Sequence, residues 1–475
     1  MKLIKFGFIV IATINMIYSA EQASIDGKIS HYELGDILHL KDAGKVFGQA
    51  RTYYVDRTNH WDDGSSNNRS AWAAGGYIGY VTPQYEGFNF TTAVYATYGL
   101  RIDELTLEND FITGNGASRY DPSLQGYRGD NYAFIGQAYI GYENKNTKIK
   151  VGRIRFDSPL IGSDDARMLP NLFEAAVISN TSIENTTLLA AHITRETVGT
   201  FPNVYIWRQT KEQIGTNLAM QSGYGYGSVL GLSGNYVNMG IIALGNEQMT
   251  GADNSTAGVT ALSYTYDGSE NFKFKVWDYI AWDIMNLLYL QADYNYQLNK
   301  NTNLFVSAQY INQFDIGNRL DSFGGINSNY GAGKIGFKHE DLTISASYSM
   351  TGKSDGFMNG GIASPWGGMP AFTQSMVVRH QFFANTDAWK VATTYNFQNK
   401  GTNLKVSVYY AHYDVGAENT FQQNTPWITT ESGFDFTYEP QSIKGLQLRF
   451  RGNFPNDFSP GMGWNEYRVI ANYNF

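Results

Sequence analysis

The sequence predicts an all-β fold, a transmembrane antiparallel β-barrel of about 18 strands, and three observations carry that reading. Segments of about ten residues alternate apolar and polar positions, the pattern of a strand with two unlike faces. Short polar turns follow long polar stretches in regular exchange between those segments. The final segment keeps its alternation through a terminal phenylalanine, Phe475.

The chain opens on an export signal. Lys2 and Lys5 precede the apolar stretch from Phe6 to Ile14, and Asn15, Ser19 and Ala20 follow before Glu21. That order is the layout of a secretory signal peptide over residues 1–20, with cleavage after Ser19 or Ala20. Residues 21–45 then form an N-terminal periplasmic lead-in, and residues 46–475 the barrel. Past the signal no run approaches the roughly 18 apolar residues a membrane helix needs, so a membrane-spanning chain would have to cross by strands.

Composition agrees. Tyr 34, Phe 28, Trp 9 and Gly 50 stand beside 11 Pro and no Cys, as interfacial aromatic belts and tight turns require. The mean hydropathy of -0.33 is no objection, since a wide barrel shows water one face of every strand. A net charge of -8, from 43 acids and 35 bases, excludes nucleic acid as a partner. Without cysteine there are no disulfides, thiolate metal sites or Cys nucleophiles.

The strands can be read one by one. Leu288, Leu290, Ala292, Tyr294, Tyr296 and Leu298 share a face opposite Tyr289, Gln291, Asp293, Asn295 and Gln297, and Asn299 and Lys300 turn the chain. Leu304, Val306, Ala308 and Tyr310 oppose Ser307 and Gln309. Leu342, Ile344, Ala346, Tyr348 and Met350 oppose four hydroxyl residues, and Leu404, Val406, Val408 and Tyr410 oppose Lys405, Ser407 and Tyr409. Phe434, Phe436 and Tyr438 oppose Asp435 and Thr437. Turns at Glu143–Thr147, Gln297–Asn303 and Gln398–Asn403 are short, whereas Leu100–Asn131, Arg195–Gly223 and Thr351–Val377 are long and polar. The asymmetry is that of periplasmic turns and extracellular loops.

A soluble sandwich or solenoid would alternate too. Against it stand the polar second face of nearly every segment, aromatics gathered at segment ends, and the closing strand. There Tyr467, Val469, Ala471, Tyr473 and Phe475 form the apolar face, and Arg468, Asn472 and Asn474 the other, with Ile470 the exception. A terminal aromatic on such a strand resembles the signal read by the barrel-insertion machinery of bacterial outer membranes.

Catalytic signatures are weak. Gly331, Gly333 and Gly336 spell G-x-G-x-x-G, but in a strand-like setting with no helix to receive a phosphate, so the structural reading is preferred. The seven histidines show no close ligand pairing, and no G-x-S-x-G elbow appears. Neither a metal nor a cofactor is expected.

Charge on the polar faces says more. Gln447, Arg449 and Arg451 oppose Leu446, Leu448 and Phe450, so both arginines should face the lumen, with Arg468, Lys405 and Arg51 placed inward by the same alternation. An arginine in lipid at mid-membrane costs about 2 to 4 kcal/mol, which favours the inward side. Such a basic ladder either solvates a pore or forms a track for carboxylates, which guanidinium binds in bidentate fashion. After Gly152 alternation stops, and Pro159 and Pro170 bar a strand between them. Arg153, Arg155, Asp164, Asp165 and Arg167 give this loop both signs of charge, as either a pore constriction or an ordinary loop with internal ion pairs would have.

At this loop the chain resembles the OprD-like family of substrate-specific outer-membrane porins. Their third outer loop folds into the barrel and carries an Asn/Asp-Asp-x-Arg-x-x-Pro-x-x-Phe pattern, read here as Asp164, Asp165, Arg167, Pro170 and Phe173. Arg51–Arg57 is similar to the family's first strand, Lys444–Arg451 to its penultimate one and Asn465–Tyr473 to its last, and Trp389–Asp414 has its strand-turn-strand cadence. The segments 22–45 and 351–372 match poorly. The resemblance implies an eighteen-stranded barrel, commonly monomeric, with one loop folded into the lumen, an inward arginine ladder and an acidic pocket near the narrow point. Arg449, Arg451 and Arg468, and with them Arg51, would be ladder residues. The implied function is passive, selective diffusion of small carboxylate-bearing solutes such as amino acids, short peptides or organic acids across the bacterial outer membrane, with no enzymatic step. Asp164 and Asp165 would engage any cationic group of the solute. Expected partners are small solutes, outer-membrane lipid and lipopolysaccharide, and the insertion machinery. A surface adhesin or structural barrel without an open pore is the alternative.

Overall fold

A sheet in lipid cannot leave its edges unpaired, so alternating strands are stable there only if the sheet closes. The computed structural model describes residues 44–100, 122–125, 130–200, 234–245, 253–268, 271–321, 324–422 and 424–475. The expected signal peptide, nearly all of the lead-in, and most of Leu100–Asn131 and Arg195–Gly223 lie outside the described residues.

The strands are β1 (Lys45–Trp61), β2 (Ser66–Val81), β3 (Phe88–Gly99), β4 (Tyr132–Glu143), β5 (Thr147–Ile154), β6 (Leu172–Asn180), β7 (Thr186–Thr197), β8 (Val237–Asn238), β9 (Val259–Tyr266) and β10 (Phe272–Ala281). There follow β11 (Met285–Asn299), β12 (Thr302–Asp315), β13 (Asn327–His339), β14 (Leu342–Thr351), β15 (Thr386–Asn396), β16 (Leu404–Val415), β17 (Trp427–Tyr438), β18 (Leu446–Asn456) and β19 (Met462–Asn474). Two-residue β8 only extends the end of β7; the other eighteen form the wall, each antiparallel to its neighbours. The expected strand number is therefore met.

Closure falls where the terminal strand predicted it. β1 pairs with β19 from Gln49 opposite Asn474 to Trp61 opposite Met462. Beyond that ladder the amide of Phe475 donates to the Gly48 carbonyl at 3.1 Å, and the Gly48 amide to the Phe475 carbonyl at 2.9 Å. A Cβ on Gly48 would lie 2.5 Å from the Phe475 ring, so a glycine there makes room for the final side chain.

Faces follow the sequence pattern. Tyr294, Tyr296 and Leu298 are exposed on the outer side of β11, and Tyr289 is buried on the inner side. Ile344, Tyr348 and Met350 on β14 and Val408 and Tyr410 on β16 likewise point out. The G-x-G-x-x-G glycines lie within β13, which turns directly into β14. A Cβ on Gly336 would strike the Phe305 ring, so that glycine serves packing.

Connections alternate in length as expected, except that 62–65, 282–284 and 457–461, on the long-loop side, are short. Inward residues of an empty wide barrel would stand in water, yet Tyr53, Val55, Tyr279, Tyr330 and Tyr413 are buried. Two long loops cover them: residues 155–171 between β5 and β6, and residues 352–385 between β14 and β15. The sequence resemblance implied the first; the second is an addition. Ile161 of the first and Ile362, Trp366, Val378 and Phe382 of the second share one apolar core inside the bore.

Candidate functional site

The first inward loop begins where β5 stops at Ile154, and its own polar side chains shape it. Asp157 accepts from the Ser163 amide at 2.8 Å and hydroxyl at 2.6 Å, and Ser158 closes on Ile161. Asp164, at φ +38°, turns the tip. These bonds aim Asp165 and Arg167 at the wall formed by β1 and β19.

Asp165 receives both Nη atoms of Arg51, at 2.6 and 3.2 Å, and lies 3.4 Å from Arg155 Nη2. Arg51 also donates to the Asn472 side chain at 2.7 Å and to the Arg167 carbonyl. Arg167 donates to Ser123 at 3.2 Å, to the Tyr53 hydroxyl at 3.0 Å and to Glu466 at 3.1 Å. Glu466 gathers two more guanidiniums, Arg57 Nε at 2.7 Å and that of Arg468. Burial alone would raise the Asp165 pKa, but Arg51 and Arg155 outweigh it and hold the carboxyl below its ordinary value.

The wall beside the loop carries further arginines. Arg451 of β18 stands directly opposite Arg468 of β19, a like-charge pair that would repel without counter-ions. Asp435 on β17 supplies one, 2.8 Å from Arg449 Nε and 3.1 Å from Arg451 Nε. Among the described residues the ion pairs of this cluster thus set seven arginines (51, 57, 155, 167, 449, 451 and 468) against four carboxylates, Asp157, Asp165, Asp435 and Glu466. Exposure divides the arginines. The side chains of Arg155 and Arg449 are 35% and 34% accessible and that of Arg451 is 17%, against 1% for Arg167 and 2% for Arg468. Arg155 and Arg449 offer donors to a solute, Arg451 and Arg57 (14%) less so, and buried Arg167 ties loop to wall.

Other expected site residues lie elsewhere. Arg153 is not in the loop, because β5 continues through Gly152, whose φ of +132° no other residue adopts easily. It shares the outer face with exposed Val151, paired with Glu174 at 3.1 Å and set 4.3 Å over the Tyr236 ring. That removes Arg153 from the constriction. Lys405 faces the lumen at the periplasmic end of β16, with Thr437 of β17 between it and Arg449 in the register.

The second inward loop is held differently. Gln313 clasps Ala363 through donor and acceptor, at 2.7 and 2.8 Å, and Gln309 takes the Pro370 carbonyl at 2.6 Å. Lys390 donates to the Gln374 carbonyl at 2.6 Å. Glu431, fully buried on β17, accepts from Ser375 Oγ at 2.7 Å, from the amides of Met376 and Val378 at 3.0 and 2.7 Å, and from the Tyr409 hydroxyl. The loops meet at the Gly162 amide, which donates to the Trp366 carbonyl at 2.9 Å. Gly367, at φ +79°, lies so close that a Cβ would sit 2.3 Å from Asn171 Nδ2, so the junction needs a glycine.

Sequence reasoning missed Glu466, Glu431 and the part Asp435 plays. Glu466 lies two residues from Arg468 on the same face, the one local sign that it points inward. Also unforeseen is an inward aromatic column beside Arg155 and Asp165, in which the Tyr77 and Tyr95 rings stack at 4.8 Å with Phe47 and Phe134 beyond them. Among the described residues no group of three or more His, Asp or Glu side chains could hold a metal ion.

The family model described as outer membrane porin, OprD family, matches residues 40–202 and 234–475. Among solved structures, the chain is similar to Pseudomonas aeruginosa OpdK with vanillate, at TM-score 0.65 and 14% identity, covering 90% of this chain and 98% of that one. P. aeruginosa OccK9 (OpdG) gives TM-score 0.65 and 16% identity with the same coverage. P. aeruginosa OccK2 (OpdF) in complex with glucuronate gives 0.64 and 13%, covering 90% of this chain and 98% of that one. At such identities the likeness speaks for the fold alone. Comparison with curated proteins finds no match.

Proposed function

The chain belongs to the OprD family of outer-membrane porins, and on that premise we propose that its selectivity is for small solutes bearing a carboxylate. A selective channel in the outer membrane follows from family and fold, and neither calls for catalysis. The finer reading rests on one observation: a cluster rich in arginine where the first inward loop meets the wall, in which Arg155 and Arg449 are about a third exposed and Arg451 partly so. A carboxylate passing there exchanges water for charged N–H donors. Arg449 and Arg451 already share Asp435, which keeps any one contact weak, and a solute must leave as well as enter. Half-buried Tyr77, backed by the buried Tyr95 ring, offers an apolar surface to the remainder of the solute, a ring above all. Vanillate and glucuronate, named with two of the similar structures, are ring-bearing carboxylates.

Planar-bilayer recording tests this. The purified protein should give stepwise conductance with anion preference, and Arg449→Ala with Arg451→Ala should move the reversal potential toward cations. Aromatic carboxylates should block the current more than neutral rings of equal size. A conducting channel with no shift in the double variant would refute the carboxylate reading. Absence of steps would favour the second reading, a barrel sealed by its loops with a surface role, which gains from the apolar core inside the bore.

A further inference from the structure

A barrel usually shows hydrocarbon a surface of bulky side chains, and the extracellular half of β13 departs from that. Gly331 and Gly333 lie on the outer face of β13 in line with exposed Ile335, and neither has any atom within 4 Å of where a Cβ would stand. In register, Gly331 lies between Tyr310 and Met350, and Gly333 between Ala308 and Tyr348. Three small residues therefore floor a trough walled by two tyrosines and a methionine, with a volume of about 400 Å³. Its extracellular end is polar. The Tyr310 hydroxyl donates to Asn329 at 2.6 Å and the Tyr348 hydroxyl to Asp387 at 3.0 Å.

The dimensions suit a single hydrocarbon chain. From Asn329 to Gly333 the strand advances about 13 Å. At a strand tilt near 40° that is about 10 Å of depth, within one leaflet of a hydrocarbon core about 30 Å thick. We propose that this trough is a lipid site, holding one acyl chain of an outer-leaflet lipopolysaccharide whose polar part rests at Asn329 and Asp387. The proposal rests on the outer-membrane placement of the barrel and not on what the channel carries. A second copy of the chain fits poorly. A stable interface buries upward of about 1,000 Å² through a continuous close-packed seam. Here the trough is one strand wide, and Ile335, Tyr348 and Met350 project beside it and would hold another rigid wall away.

The test fills the trough. Neither glycine has a left-handed φ, so Gly331→Leu with Gly333→Leu adds side chains into open space without backbone strain, and heat-modifiable gel migration checks that the barrel forms. The full protein, delipidated in detergent and offered purified lipid A, is examined by native mass spectrometry. Wild type should keep one lipid A adduct, as should Ala176→Leu, which enlarges an exposed outer residue of β6. The double variant should lose at least nine-tenths of it. Equal adducts on wild type and double variant would overturn the proposal, as would a wild-type dimer that the double variant dissolves, or retention of phospholipid with no lipid A.

Discussion

The two inward loops narrow the same bore by opposite means. The loop of residues 155–171 is pinned by charge: Asp165 on Arg51, and Arg167 on a Glu466 that also holds Arg57 and Arg468. The loop of residues 352–385 is pinned by its own backbone, whose amides converge on Glu431 and whose carbonyls meet Gln309, Gln313 and Lys390. In the first case loop and wall both bring full charges, so the anchor also sets the field a solute crosses. In the second the wall carries the charges at the anchor, Glu431 and Lys390, and the loop meets them with amides, a hydroxyl and a carbonyl, so the anchor fixes shape with little effect on selectivity. One loop should govern which solutes pass and the other how wide the passage is.

Glu466→Ala is the strongest way to break that division. Removing one member of a buried ion cluster costs about 3 to 5 kcal/mol, because the remaining charges stay buried without their partner. With Arg57, Arg167 and Arg468 all left facing one another, the first loop should come away from β19. The expected outcome is a lower unfolding midpoint in urea, and larger conductance steps with altered anion preference in a bilayer. Unchanged selectivity beside enlarged conductance would show that the charge anchor is not the selective element.

Acid should separate the loops. His380 sits in the second loop, buried among Phe383, Phe421, Trp427 and Phe458, and its Nε2 donates to the Phe458 carbonyl at 2.7 Å. Burial pushes its pKa down to about 4. In the released loop the imidazole would bind its proton near pH 6.5, so the released state holds more protons between those values and docking weakens as pH falls from about 6.5 to about 4, by about 3 kcal/mol in all. Asp165 behaves otherwise. Its pKa is lowered, so its bond to Arg51 is fully present above the ordinary carboxylate range and is lost only as pH drops through the depressed value. Near pH 5 the second loop should therefore loosen while the first stays docked, seen as greater conductance at constant ion preference. His380→Gln should abolish that response.

Glu431→Ala should come next in size, at about 1 to 3 kcal/mol for amides left without an acceptor. The second loop should become more accessible to protease, and conductance should rise without a shift in reversal potential. A shift would mean that Glu431 shapes the field as well as the loop. Arg153→Ala should do least. Its partly exposed pair with Glu174 is worth about 0.2 to 1 kcal/mol, and neither conductance nor selectivity should change. A marked change in selectivity would return Arg153 to the pore.

How much of this could be read beforehand differs between wall and lumen. Alternation along Leu288–Leu298 or Leu342–Met350 assigns every side chain of those strands to lipid or lumen, because the strand period is local and needs no partner. Pro159 and Pro170 mark the first inward loop for the same reason. Nothing local marks the second, whose residues 352–385 dock through amides that any sequence carries. The placement of Arg153 failed on Gly152, which has no side chain to reveal that the strand runs on to Ile154.

The sequence by itself determined a barrel of about eighteen strands, the inward faces of Arg51, Arg449, Arg451 and Arg468 and the closing strand ending on Phe475, since strand period and connector length express themselves within a few residues of chain. Only the tertiary structure decided which charges meet. Arg167 and Glu466 are 299 positions apart and Arg51 and Asp165 114 apart, and each pair forms because closure of β1 on β19 curves the wall toward the loop that enters the bore between β5 and β6. Whether an inward arginine remains open to a solute, as Arg449 does, or becomes buried, as Arg468 does, depends on how closely the inward loop packs over it, and no periodicity encodes that.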